Sequence, residues 1–138
     1  MPESKLRVII ADDHTMIRKG LRFLLEGESD IEVVAEASNG HQVVSLSRQL
    51  RPSEIVMGIA MPESNGIDAT REILSEMPET RVLIISSNCD RDMINEALSS
   101  GAFGYLSKGD SLLVVPLALR EIHRGGRFIS TGAARMRL

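Results

Sequence analysis

Short apolar, β-branched runs alternate along this chain with stretches whose apolar residues recur at helical spacing. The apolar runs cover 6–11, 31–37, 55–60, 81–86 and 102–106. Each has the length of one buried strand, and several are apolar almost without interruption, as happens when both faces of a parallel sheet are covered. Between them the helical patterns span roughly 14–26, 39–50, 65–77, 89–100 and 111–124. The first carries Met16, Ile17, Leu21, Leu24 and Leu25 as its apolar stripe. Ser38 or Asn39 is suited to cap the second helix, Asn65 the third and Asn88 the fourth. Pro52 and Pro78 stand just beyond helices, and Gly101 fits a C-terminal stop. Pro116 falls inside the last helical stretch, so that helix either opens late, with Pro116 in its first turn, or bends there. Five βα units with short connections predict an α/β fold: a five-stranded, doubly wound parallel sheet with right-handed crossovers.

Length and composition narrow the setting. The chain has 138 residues, enough for one compact domain and a short tail, and its 43% hydrophobic content is ordinary for a globular protein. No internal repeat or low-complexity segment interrupts it. No apolar run approaches the length of a membrane span, so a cytoplasmic protein is expected. Cys89 is the single cysteine, which excludes an intrachain disulfide and a cysteine-based zinc site and predicts a free thiol. Residues 120–138 hold five arginines against one acid, a local charge of +4, which leaves −7 on the remainder given the total of −3. An acidic body argues against direct nucleic-acid binding by this domain, and dispersed arginines in a tail are those of a solvated linker.

In doubly wound sheets functional groups gather at the carboxyl ends of the strands. The first strand here runs into Ala11-Asp12-Asp13-His14, the fourth into Ser86-Ser87, and the fifth into Ser107-Lys108. Taken singly, each has a plain structural reading: an acid that caps a helix, a turn serine, a solvated lysine. Together, on one edge, they assemble two carboxylates, a hydroxyl and an ammonium. Paired carboxylates suit a hard cation such as Mg²⁺, and a hydroxyl with a lysine suits a phosphoryl group.

The segments Val8-Ile9-Ile10-Ala11-Asp12-Asp13-His14, Met61-Pro62-Glu63-Ser64-Asn65-Gly66, Ser86, and Gly101-Ala102-Phe103-Gly104-Tyr105-Leu106-Ser107-Lys108 resemble the receiver domains of two-component response regulators. The resemblance spans about residues 5–125, and its Asp-Asp-His opening looks most like regulators with a LuxR-type helix-turn-helix output domain. It implies a flavodoxin-like receiver in residues 1–125 and the start of an interdomain linker in 126–138. It implies that Asp12 and Asp13 bind Mg²⁺, that Ser86 and Lys108 contact the phosphoryl group, and that Tyr105 is the aromatic that swings inward on activation. The implied partners are a sensor histidine kinase, met partly through Met16, Ile17 and Gly20, and a second copy in a homodimer. DNA would be reached only through an output domain outside these residues, and no membrane is implied.

One position departs from the pattern. The family's acceptor aspartate ends the third strand, three residues before the Met-Pro pair, and here that residue is Gly58. No gap accounts for it, because Gly66 stands at the expected spacing beyond. Between Ile55 and Met61 there is no acid, hydroxyl, histidine or cysteine to serve instead, while Glu63 and Ser64 lie past the Met-Pro turn. Glycine has no side chain to form an acyl phosphate, so the chain is expected not to accept phosphate there and to hold Mg²⁺ weakly or not at all. Two other classes fit less well. A metal-dependent phosphatase would place Asp-x-Asp after the first strand, whereas these acids are adjacent; a flavin or nucleotide binder would place a glycine-rich loop there, which is absent. A signalling module without enzyme activity is the reading that remains.

Overall fold

The structure, a computed structural model, describes residues 5–88, 90–130 and 132–133. Cys89 lies outside the described residues, as does the end of the chain from 134. The elements follow in order: β1 (Leu6–Ala11), α1 (Thr15–Glu26), β2 (Ile31–Ala37), α2 (Gly40–Leu50), β3 (Glu54–Gly58), α3 (Gly66–Glu76), β4 (Arg81–Ser86), α4 (Arg91–Ser99), β5 (Gly104–Ser107), a 3₁₀ turn (Leu112–Val114), α5 (Val115–His123) and β6 (Phe128–Ile129). All strand pairs are parallel, in the order β2-β1-β3-β4-β5-β6.

The near-continuous apolar strands serve two cores at once. Ile9, Ile55, Met57, Val82, Ile84 and Tyr105 face one cluster, which α2, α3 and α4 cover with Val43, Ile67, Ile73 and Ile94. The alternate residues Val8, Ile10, Val56, Leu83, Ile85 and Leu106 face the other, covered by Leu21 and Leu25 of α1 and by Ala118, Leu119 and Ile122 of α5. This is the period-two alternation of a sheet buried on both sides. Among the described residues no helix is long and apolar enough to cross a membrane.

Local signals mostly act where the sequence places them. Asn39 and Asn65 cap α2 and α3 through their side chains, and Gly101 takes φ 109° directly after α4, where a Cβ is disfavoured. Pro116 sits in the first turn of α5, so that helix opens late, preceded by the 3₁₀ turn. Three expectations need correction. Asp90, not Asn88, caps α4; the Asn88 side chain instead accepts from the Asp90 amide. Met16 is 86% exposed and lies off the core stripe, whereas Ile17 packs against the core. The described part of 126–138 is not a loose linker: Phe128 and Ile129 pair with Gly104 and Tyr105 as a sixth strand, and Ala133 is fully buried.

Candidate functional site

Strand order reverses between β1 and β3, and parallel register fixes what meets there. Ala11 is level with Met57, Gly58 with Ile85, and Ser86 with Ser107. Asp12, Gly58, Ser86 and Lys108 therefore succeed one another along a single carboxyl edge, the place where open α/β sheets bind ligands. The Lys108 amide donates to the Ser86 carbonyl (2.8 Å), which ties the fifth-strand loop to β4.

Asp12 is the centre of this arrangement, with only 1% of its surface exposed. Its Oδ1 accepts from the His14 amide at 2.8 Å. Its Oδ2 lies 2.9 Å from the Lys108 ammonium, but off line for a hydrogen bond, so the attraction is coulombic. Lys108 Nζ is also 3.0 Å from His14 Nδ1. The same Nδ1 lies 3.2 Å from Asp12 Oδ1. The Asp12 carbonyl accepts from Arg18 Nη1 (2.7 Å), and Arg18 Nε donates in turn to Glu36 of β2 (2.9 Å). Burial would raise the Glu36 pKa, but hydrogen bonds from Arg22, Lys19 and Arg18 outweigh it and hold the carboxylate below its usual range. Neither acid caps α1: His14 stands at that position and makes no side-chain capping bond.

The space at Gly58 is already used. A Cβ there would fall 2.6 Å from Asp12 Oδ2 and 3.1 Å from its Cγ. The Asp12 carboxylate thus occupies the room that a side chain at this position requires. Behind it, the start of α3 is drawn tight against the strand end: the Gly66 amide donates to Ile59 (2.8 Å), and a Cβ on Gly66 would lie 1.8 Å from the Gly58 carbonyl oxygen. Only glycine fits there. Ser64 packs against Gly40 at the start of α2, and Glu63 is exposed with φ 75°.

Ser86 and Tyr105 communicate through one loop residue. The Asn88 amide donates to Ser86 Oγ (3.0 Å), and the Tyr105 hydroxyl donates to the Asn88 carbonyl (2.5 Å). Tyr105 is fully buried.

The ligand atoms of Asp12, Asp13 and His14 lie within 4.8 Å of one another. Mg²⁺ demands oxygen ligands in a near-octahedral shell, with carboxylates free to compensate its charge. Here one carboxylate is neutralised by Lys108, the third donor is a ring nitrogen, and position 58 supplies nothing. The residues fit Mg²⁺ poorly. Asp12, Asp13, Gly58, Ser86 and Lys108 lie at or just past the carboxyl ends of their strands, whereas Tyr105 lies inside β5 in the core; the contacts made there by Arg18, Glu36, His14 and Asn88 are additions of the structure. Their roles arise from approach across elements, for which sequence spacing carries no signal.

Comparison with known proteins agrees with this architecture. The family model for the response regulator receiver domain matches residues 8–114. The chain is 35% identical over 127 residues to the transcriptional regulatory protein DegU of Brevibacillus brevis, covering 92% of this chain and 54% of DegU. It is 36% identical over 120 residues to the transcriptional regulatory protein LiaR of Bacillus subtilis, covering 87% of this chain and 57% of LiaR. The chain therefore spans a little over half the length of these relatives. Among solved structures, a LuxR-family two-component response regulator from Aurantimonas sp. SI85-9A1 superposes with a TM-score of 0.92 at 31% identity, covering 97% of this chain and 96% of that one. The signal receiver domain of the putative response regulator NarL from Mycobacterium tuberculosis gives 0.85 at 28% identity, covering 89% and 99%. The chain belongs to the response regulator receiver domain family.

Proposed function

We propose that this receiver regulates transcription through a helix-turn-helix output domain without accepting a phosphoryl group on its third strand. One observation carries the reading: the residue between Asp12 and Ser86 on the carboxyl edge is Gly58, and the Asp12 carboxylate, paired with Lys108, fills the room of the missing side chain. Receivers contribute positioning and charge neutralisation, but the acyl phosphate itself needs a carboxylate nucleophile. Asp12 and Asp13 are then the remnant of a metal site, and Ser86 and Lys108 the remnant of a phosphate site. The chain is a cytoplasmic signalling module and not an enzyme.

Receiver domains of response regulators pair with histidine kinases. For this chain the surface open to such a partner is α1, where Met16 and Gly20 are exposed while Ile17 is turned inward. Tyr105 is buried with its hydroxyl bonded, so the inward pose that the family reaches on activation is here the resting pose. The pairing of Phe128 and Ile129 with β5 and the burial of Ala133 support counting these residues with the domain.

The deciding experiment is incubation of the unmodified chain with acetyl phosphate and Mg²⁺, followed by intact-mass measurement. No phosphoryl adduct is expected. An adduct that peptide mapping assigns to Asp12, Asp13 or Glu63 would overturn the reading.

A further inference from the structure

We propose that residues 128–130 and 132–133 act as a lever on the loop that carries Lys108, so that the state of the Asp12–Lys108 ion pair sets how firmly Ser130 and Gly132 are held. The inference rests on the reading of Lys108 as the cation of the pocket. An edge strand needs only its ladder, and that ladder is present: the Phe128 amide donates to Phe103 (3.1 Å) and the Ser130 amide to Tyr105 (3.0 Å). The segment then does more than pair. Ser130 Oγ, itself buried, accepts from the Ser107 amide at 3.0 Å, and the Gly132 amide donates to Asp110 Oδ2 at 3.0 Å. The tail therefore grips the loop on both sides of Lys108.

The loop between those grips is a tight turn. The Gly109 amide donates to Ser107 Oγ (3.1 Å) and the Asp110 amide to the Ser107 carbonyl (3.0 Å). The Asp12–Lys108 pair reaches this turn through the lysine stem, and the Lys108 amide is held to the Ser86 carbonyl, so the pair and the tail restrain the same turn from opposite sides. The tail follows closely at its far end too. A Cβ on Gly132 would come 3.0 Å from Asp110 Oδ2 and 3.4 Å from the Ser107 Cβ, and Ala133 is buried in the same core cluster as Tyr105. The pocket and Gly132 are thus joined by consecutive contacts: the Asp12–Lys108 ion pair, the 107–110 turn, then the hydrogen bonds to Ser130 and from Gly132. Coupling of this kind is reciprocal, because each end biases the same element.

The test is residue-resolved amide exchange by NMR on the full 138-residue chain. Lys108→Met keeps the apolar stem and removes the charge. We expect exchange at Ser107, Ser130 and Gly132 to quicken roughly tenfold, within the usual range of coupling free energies, while the β1 and β3 amides stay unchanged. Reciprocally, Ser130→Ala should quicken exchange at the His14 amide, which is bonded to Asp12 Oδ1. If Lys108→Met loosens only Gly109 and Asp110, the tail is a static clip and the proposal fails. It fails equally if no amide responds, since the ion pair then holds nothing. Acceleration spread evenly over every strand would reflect lost stability, and the milder Ser130→Ala variant then decides: a changed His14 amide supports the lever and an unchanged one overturns it. Phosphorylation of a pocket acid, measured separately, would overturn the functional reading and leave this coupling standing.

Discussion

Gly58→Asp is the substitution that asks most of the pocket. The new Cβ would meet Asp12 Oδ2 at 2.6 Å, so the Asp12 side chain must rotate away. Its pairing with Lys108, 2.9 Å in the present arrangement, must then be shared with a second carboxylate. Two carboxylates about 4 Å apart repel by about 4 kcal/mol at an effective dielectric of 20. Attraction of the new group to Lys108 offsets most of that, and leaving glycine on an extended strand end returns roughly 0.5–1 kcal/mol. What remains is desolvation of one more charge beside a nearly inaccessible one, which brings the net loss to about 1–3 kcal/mol in metal-free buffer. With a urea slope of about 1–3 kcal/mol per molar, the unfolding midpoint should fall by roughly 1 M. Mg²⁺ binds the three-carboxylate fold and not the unfolded chain, so at a hundred times its Kd it should restore about 2.7 kcal/mol. Paired urea titrations with EDTA and with excess Mg²⁺ read both effects, and intact mass after acetyl phosphate treatment reads restored acceptor chemistry. The parent chain should show no Mg²⁺-dependent midpoint shift. The reasoning is refuted if the variant is as stable as the parent in EDTA and indifferent to Mg²⁺, because Asp12 and Lys108 would then not share a field with position 58.

Three other outcomes follow from separate parts of the molecule. Glu54, 1% exposed with neither carboxyl oxygen hydrogen-bonded, has its pKa pushed by burial up to about 8 against attraction from Arg81. The folded state therefore binds the extra proton between the unfolded value of 4.5 and about 8, and stability should fall as pH rises through that window by several kcal/mol in all; in Glu54→Gln, denaturation across pH 4–9 should lose most of that slope. Trimming the chain after Gly126 removes β6 and the buried Ala133, and calorimetry should show a destabilisation of about 2–4 kcal/mol, where an unchanged midpoint would return these residues to the status of a linker. Glu63, held at φ 75°, should give way to glycine with a gain of about 1 kcal/mol in urea.

Much of this was legible because burial writes itself into sequence. The five main strands read as apolar runs since helices cover both their faces, and parallel register then carried Asp12, Ser86 and Lys108 to one edge without any further information. Phe128 and Ile129 gave no such signal: two apolar residues after Gly125-Gly126-Arg127 make no period, and their partners Gly104 and Tyr105 are distant in sequence. Met16 and Ile17 are neighbours about 100° apart on a helix, so a stripe drawn through both had to misplace one of them. The position of Asn88 in the chain suited a cap equally well, and which residue caps is decided by where the helix begins. Least legible was the placement of Asp12 against Gly58. It combines the lack of a side chain at Gly58 with an ammonium reaching across from Lys108, and neither acts through local sequence.

That arrangement bears on how such a receiver can signal. A pocket with three carboxylates carries unbalanced negative charge, and a divalent cation followed by a phosphoryl group alters its field twice. Here the buried charge of Asp12 is answered by an ammonium of the same chain, 2.9 Å away and itself only slightly exposed. A cation entering this pocket must first displace Lys108, so its binding free energy is reduced by the cost of separating a largely desolvated ion pair. Without differential binding there is no population shift, however abundant the ion. The balance between the buried pose of Tyr105 and any alternative is then set by packing and by the Asn88 hydrogen bond, and remains fixed until something touches those groups or the tail bonded to the Lys108 loop. Under the proposed function, input would come by partner binding at those elements, and a regulator that carries this domain should give output that tracks its concentration and its partners without regard to the phosphoryl donor pool.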